Sequence, residues 1–337
     1  MKILILSDAE ICKLLPMKEC IAVMREALIA LATGKAHQPL RTIIRPPDAR
    51  GLMGLMPAYK SGEDLSADSG ESGAAFGLKA ICVFSGNPAQ GKDSRQGAVL
   101  LFSGETGEPL ALMNASAITA IRTAAVSGVA TELLARKDAC NLALLGAGVQ
   151  ARSHLAAMSE VRSLKQCRIA SRNFEHAQKF AAEMRRNCSF PIEPVETAAA
   201  ALEDADLIVT ATSAVEPIVK RDWVAAGAHL NVVGASTPNA REVDSATMAA
   251  ASLFVDRRES TINEAGDYLF PAREGLIGPD HIRAELGEIL TGEKSGRTSP
   301  EEITLFKSLG IAIEDLFAAQ YLYGKAREGQ LGSWVEF

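Results

Sequence analysis

Apolar positions recur along this chain with two periods, and the change from one to the other separates two kinds of domain. An opening strand over residues 1–7 precedes a helical stretch, residues 8–34. There Met17, Ile21, Met24, Leu28 and Leu31 fall at three- and four-residue intervals. Residues 39–57 turn extended, punctuated by Pro39, Pro46, Pro47 and Pro57. Strand-like runs follow at 77–84, 97–103 and 109–113, the last two joined across Gly104-Glu-Thr-Gly107 as a hairpin of an antiparallel sheet. The polar, Gly/Ser-rich stretch 61–75 reads as a surface loop. A helical pattern from Ile118 to Ala135 then leads into strands near 141–145, 166–170, 206–211, 229–233 and 252–256, with helices between them. Such alternation predicts a parallel, doubly wound sheet. Residues 300–328 predict one long amphipathic helix, started by Ser299-Pro300-Glu301-Glu302 and striped by Ile303, Phe306, Leu309, Ile313 and Leu316. The expected fold class is α/β: an N-terminal α+β domain over residues 1–120, joined by 311–337, and a Rossmann domain over 121–310.

The best-defined chemistry lies at the first strand of that second domain. The apolar run Asn141-Leu-Ala-Leu-Leu145 ends in Gly146-x-Gly148-x-x-Ala151 and passes into a helical pattern. Gly146 permits a tight turn, Gly148 lets the backbone approach a pyrophosphate, and Ala151 keeps the helix close to the sheet. The free N–H groups of the helix N-terminus would receive the phosphates. After the second strand, Gln166–Ala170, comes Ser171-Arg172-Asn173, with no acid before Glu175. An NAD enzyme usually keeps Asp or Glu at that point for the ribose hydroxyls. A guanidinium there can pair with a 2′-phosphate, so NADP(H) is favoured and NAD(H) is the second choice. The alternative is a solvated loop arginine, or one stacked on adenine without selecting either cofactor.

Composition narrows the classes. With 337 residues, 47% hydrophobic and 23% charged, the chain can bury large cores. Its formal net charge of −6 and scattered basic residues give nucleic acid no footprint. No run approaches 18 uninterrupted apolar residues, so no membrane span is expected, and the opening segment is too short and too soon acidic for a signal peptide. A cytoplasmic protein is the expectation. The six cysteines show no metal-like spacing; Cys82, Cys140 and Cys167 read as reduced core thiols. The five histidines are isolated from one another, and no metal is expected.

Three cations sit where packing explains them poorly. Arg41 lies in the extended Gln38-Pro-Leu-Arg-Thr42, Lys79 interrupts the strand Phe76–Phe84, and Arg122 interrupts the helical run Ile118–Val126. Charges on apolar elements are costly unless paired or wet. Together they would clamp a carboxylate; separately, each would point to solvent from an amphipathic element. Glu264 and Asp267 either face a pocket or are solvated acids.

Several motifs together resemble the ornithine cyclodeaminase/mu-crystallin family over essentially the whole chain. They are Leu55-Met-Pro-Ala-Tyr59, Gly86-Asn-Pro88, Ile118-Thr-Ala-Ile-Arg-Thr-Ala-Ala125, Gly146-Ala-Gly-Val-Gln-Ala-Arg152, Gly234-Ala-Ser-Thr-Pro238 and Phe306-Lys-Ser-Leu-Gly310 followed by Glu314-Asp315-Leu316. The resemblance implies that Arg41, Lys79 and Arg122 hold the carboxylate of an imino or amino acid substrate, with Lys79 and Arg122 at the chemistry. It implies cofactor contacts from Ser94, Arg95, Arg122, Ala147, Val149, Gln150, Ser171, Arg172, Asn173, Thr212, Ser213, Val233, Gly234, Lys307 and Ser308. It also implies a homodimer built through the N-terminal domain.

One departure bears on the reaction. Ornithine cyclodeaminases resemble Gly-Asp-x-Pro-Gly-Lys after the fifth strand, where the aspartate meets the substrate amine. This chain has Gly234-Ala-Ser-Thr-Pro-Asn239, with Ser236 near that position. A serine neither anchors an ammonium nor acts as a base near neutral pH. Asp244, farther along, reads as a helix cap. The resemblance then points to an NAD(P)H-dependent reductase of cyclic or linear imino acids. The other readings are ornithine cyclodeaminase with recycled NAD, an alanine-dehydrogenase type of amino-acid dehydrogenase, and an NADPH-dependent binder without catalysis.

Overall fold

Each of the two expected domains is built on a β-sheet in the structure, a computed structural model that describes residues 1–62, 73–84 and 86–337. Of the loop read at 61–75, residues 63–72 lie outside the described residues. The chain divides into two units, one of Met1–Arg122 with Gly310–Phe337, the other of Thr123–Leu309.

The first unit is built on β1 (Lys2–Leu6), β2 (Ala36–His37), β3 (Thr42–Ile44), β4 (Leu52–Lys60), β5 (Ala75–Val83), β6 (Arg95–Ser103) and β7 (Pro109–Asn114). The C-terminal strand Ser333–Glu336 pairs with β1, and the order continues β1-β7-β6-β5-β4-β2, with β3 also on β4. Only the β1–β7 pair is parallel within this sheet. Helices Met17–Ala32 and Ala312–Glu328 pack together, and the latter lies across β4, β5 and β6. Alternation along each strand sends Leu4, Leu6, Met56, Val99, Leu101 and Met113 into that core. Lys79 shares this covered face, where a cation is costly unless paired.

In the second unit, β8 (Asn141–Leu145), β9 (Gln166–Ala170), β10 (Ile192–Val195), β11 (Leu207–Thr210), β12 (His229–Val232), β13 (Ser252–Val255), β14 (Ile282–Glu285) and β15 (Thr304–Lys307) form one sheet. Its order is β10-β9-β8-β11-β12-β15-β13-β14, every pair parallel. The order reverses direction between β8 and β11, and such a switch point opens a crevice at the carboxyl ends of the strands. β8, β11 and β12 are buried nearly throughout, as strands covered on both faces must be.

Three expectations are corrected. The helix expected over 8–34 is two, Asp8–Leu14 and Met17–Ala32, because Pro16 has no N–H to continue the first. The helix expected over 300–328 begins only at Ala312; residues 304–307 are β15, paired on both sides by β12 and β13. Ile303, Leu305 and Phe306 are all buried, so both faces of this stretch need apolar cover, which a central strand provides. β10, β14 and the strand Ser333–Glu336 are additions to the expected set. The helix expected from Ile118 to Ala135 runs Ala115–Leu134 and is long and apolar enough on composition alone to cross a bilayer. With 72% of its most apolar window buried, it is a core helix.

The six cysteines are free; Cys20 and Cys167 are buried, while Cys82 and Cys140 are only half-buried.

Candidate active site

The glycine-rich turn of the second unit has the shape a dinucleotide needs. Gly146 sits at φ +110°, and a Cβ there would lie 2.4 Å from the carbonyl oxygen of Ala211, so only glycine fits. Gly148 is the N-cap of the helix Val149–Val161, and a Cβ on it would meet nothing within 4 Å. The turn is therefore closed toward the sheet and open at the helix N-terminus, the end of a helix that attracts an anion. Ala151 is fully buried beneath it, while Val149 is 63% exposed, an apolar side chain offered outward at the turn. Ala147 and Gln150 are half-buried beside it. These residues fit a dinucleotide.

After β9, Arg172 is exposed and forms no ion pair among the described residues. Ser171 is half-buried. Asn173 caps the helix Phe174–Met184, its Oδ1 accepting from the N–H of Glu175 at 2.9 Å. One lone pair of that oxygen is taken up by the cap, which leaves Asn173 chiefly its amide donors for a ligand.

At the other strand ends a buried carboxylate organises the backbone. Glu242 accepts from Thr210 at the end of β11, from Thr212 just beyond it, and from Gly234 and Ala235 after β12. Val233 is buried, Ser213 exposed, and Ser236 half-buried on the same loop as Gly234. Lys307 and Ser308, expected to reach a nicotinamide, are 0% and 2% exposed. Lys307 Nζ lies 2.8 Å from Asp267 Oδ2 and donates to the carbonyl of Ala235, so its charge is spent within the unit. Asp267 is thus a buried counter-ion and not a solvated acid. Asp244 does cap its helix, accepting from the N–H of Thr247 at 2.7 Å.

The first unit gathers charge. Lys79 and Arg122, each 3% exposed, do not point to solvent. Lys79 Nζ donates to both oxygens of Asp315, at 3.1 and 3.2 Å. Arg122 Nε donates to Asp315 Oδ1 at 3.1 Å, and its Nη1 donates to Glu314. Gly310, at φ +75°, makes room for this guanidinium: a Cβ there would lie 2.4 Å from Nη1. Burial lowers the proton affinity of Lys79, Asp315 restores part of it and Arg122 lowers it again, leaving its pKa at about 8. Burial acts against the charge of Arg122 too, yet Asp315 and Glu314 more than offset it and hold the guanidinium more firmly protonated than usual. Arg95, on the exposed end of β6, has its proton affinity lowered by desolvation and then by Arg122 and Arg41 nearby. Arg41 is half-buried and Ser94 likewise. Four cations therefore share this region with two carboxylates.

Sequence reasoning singled out the cations but not their partners. Glu314 and Asp315 stand in the apolar run from Ile311 to Phe317, the same signal that marked Lys79. Glu242 and Asp267 lie in loop-like sequence, where no pattern announces burial.

Comparison with known proteins places this geometry. The sequence profile of the ornithine cyclodeaminase/mu-crystallin family matches residues 1–330. A Delta(1)-pyrroline-2-carboxylate reductase of Bacillus cereus is 38% identical over 335 residues, 99% of this chain and 100% of that protein. The mouse (Mus musculus) ketimine reductase mu-crystallin is 42% identical over 300 residues, 88% of each chain. Among solved structures, Thermococcus litoralis Delta(1)-pyrroline-2-carboxylate reductase in complex with NADH and L-proline superposes with a TM-score of 0.92 at 42% identity, covering 98% of this chain and 99% of that one. A profile match across nearly the whole length, on a chain carrying the dinucleotide turn and the paired cations, leaves one conclusion: this chain belongs to the ornithine cyclodeaminase/mu-crystallin family.

Proposed function

We propose that the protein is an NAD(P)H-dependent reductase of an imino acid, either a cyclic ketimine such as a pyrroline or piperideine carboxylate, or a linear imine. The observation that carries this reading is the cluster of Arg41, Lys79, Arg95 and Arg122 around two carboxylates, Glu314 and Asp315. The surplus of positive charge suits a substrate carboxylate, and Arg122 and Arg41 can hold it by charge-assisted hydrogen bonds. When bound, a dinucleotide would supply hydride from nicotinamide C4 to the C=N carbon. Residues 146–150 would hold its pyrophosphate, with Thr212, Ser213, Val233 and Gly234 lining the strand ends. Lys79, with a pKa of about 8, is charged near neutral pH yet able to give up a proton. Ser236 leaves the loop after β12 without the carboxylate that an ornithine deamination would use.

Purified protein is to be mixed with NADPH or NADH and, separately, with cyclic imine carboxylates, keto acids plus methylamine or ammonia, and ornithine. Cofactor oxidation dependent on the imine is the expected result. Release of ammonia from ornithine without net change in cofactor would put a lyase in its place, and no turnover at all would leave a binder.

We further propose a preference for NADP(H), read by Arg172. Replacing Arg172 with Ala should weaken NADPH by about 1.5–3 kcal/mol, the scale of a charge-assisted contact, and leave NADH nearly unchanged. Fluorescence titration of both cofactors checks this; equal losses would reject the assignment.

A homodimer is supported by the face of the first sheet opposite its helices. In register, Ile5, Leu112, Leu100, Leu78 and Pro57 run across it, and Ile5, Met53, Phe76, Leu112 and Val335 are 38–49% exposed. A continuous apolar patch of this kind marks an interaction surface. Sedimentation equilibrium giving the mass of a single chain would exclude it.

A further inference from the structure

The loops after β11 and β12 are held to one buried carboxylate that no cation neutralises among the described residues. Glu242 is 0% exposed. Its Oε1 accepts from the N–H and hydroxyl of Thr212, at 2.8 and 2.7 Å. Its Oε2 accepts from the hydroxyl of Thr210 at 2.7 Å and from the N–H groups of Gly234 and Ala235, at 2.6 and 3.3 Å. A buried charge without a counter-ion persists only when hydrogen-bonded this fully. The two oxygens divide their work: one holds the loop after β11, the other chiefly the loop after β12. The loops also touch directly, since a Cβ on Gly234 would lie 2.2 Å from the carbonyl oxygen of Thr212.

A second ring fixes the carboxylate itself. Asp267 Oδ1 accepts from the N–H groups of Glu242 and Val243, at 2.7 and 3.1 Å. Its other oxygen faces Lys307 Nζ, which donates to the carbonyl of Ala235 at 2.5 Å. Residue 235 is therefore gripped through its N–H by Glu242 and through its carbonyl by Lys307. All these groups sit at the carboxyl ends of parallel strands, where open α/β sheets bind their ligands.

We propose that Glu242 is a positioning residue of the dinucleotide site, a staple that sets the loops carrying Thr212, Ser213, Val233 and Gly234 in the geometry the cofactor requires. The proposal rests on those loops serving a dinucleotide. It goes further by assigning their alignment to a fully buried group behind them.

Glu242→Gln is the discriminating variant. Glutamine keeps the size but turns one acceptor into a donor, so either the fixed N–H of Thr212 or that of Gly234 must face an NH2 group. Hydroxyls can rotate away; backbone amides cannot. Misplacing one loop should raise the Kd for NADPH and NADH alike by about 10- to 100-fold, as slight misalignment does elsewhere. The KM for the cofactor rises with it, and amide exchange quickens at Thr212 or Gly234. Thr210→Val removes one donor beneath the loops and should give a smaller change in the same direction, which secures the test should Glu242→Gln fold poorly.

Unchanged cofactor Kd and amide protection in Glu242→Gln, with wild-type protein binding the dinucleotide, would overturn the staple alone. Failure of the wild-type protein to bind either cofactor would overturn the dinucleotide reading as well. A fall in Tm with no change in Kd would make Glu242 a structural residue and reject the proposal.

Discussion

Arg122→Lys should lower kcat/KM for an imino acid by about 100-fold or more while leaving most of the stability intact. The guanidinium donates through Nε to Asp315 and through Nη1 to Glu314, with its back against the bare Cα of Gly310. A lysine has one nitrogen where this fork has three, so it can satisfy one of the two carboxylates, not both together with a substrate. The charge survives and the geometry does not, and misplaced binding groups cost rate on this scale. Arg122→Ala is the harsher change. Two buried carboxylates then lose their shared cation, and removing one partner from a buried ion pair costs about 3–5 kcal/mol. Steady-state kinetics and thermal melts of both variants separate the effects. Wild-type kcat/KM in Arg122→Lys, in a protein with demonstrated imine reductase activity, removes Arg122 from substrate binding.

What the sequence disclosed here, and what it withheld, follows one physical division. Gly146, Gly148 and Ala151 were legible because a turn, an opening and a close contact each dictate a residue type within one short stretch. The parallel sheet was legible because strands buried on both faces are apolar runs, and helices of a different period separate them. Lys79 and Arg122 stood out as charges on apolar elements, but Asp315 lies 236 residues from Lys79 along the chain. No local pattern connects such partners, and acids in the first turn of a helix already have an ordinary explanation.

The misread stretch 300–311 shows the same limit. Ile303, Phe306, Leu309 and Ile313 satisfy a helical stripe as well as any true helix does. What decides for a strand is the open place between β12 and β13, which exists only once the sheet has assembled. The left-handed turn at Gly310 then separates β15 from the last helix. Glu242 and Asp267 were hidden for a related reason: Glu242 is buried in a loop, whose sequence carries no burial period, and Asp267 stands in the first turn of the helix Gly266–Arg273, where an acid already has an ordinary explanation.

The reaction's proton should be traceable to Lys79 through its pH dependence. Burial drives the ammonium's pKa down, Asp315 draws it part of the way back, and Arg122 pushes it down again, to about 8. In the direction of imine reduction the proton is given, so Lys79 must enter as the ammonium. That form is nearly complete below pH 7 and declines tenfold for each unit above about 8; kcat/KM for the imine should fall along this limb. In the direction of amine oxidation the proton is taken, so the neutral amine is required and the same limb should rise with pH. The substrate's own titration adds to each profile, and the variants distinguish it. Lys79→Arg keeps a cation beside Asp315 but holds its proton throughout the accessible range, so a limb belonging to Lys79 disappears while one belonging to the substrate stays. Lys79→Gln removes both the charge and the proton and should lower kcat by about 10²–10⁴, the usual contribution of general acid–base catalysis. Two results would assign the proton elsewhere: an unaltered limb in Lys79→Arg, or a kcat in Lys79→Gln within a few-fold of wild type at pH 7. Lys79 would then be left to orient the carboxylate alongside Arg41 and Arg122.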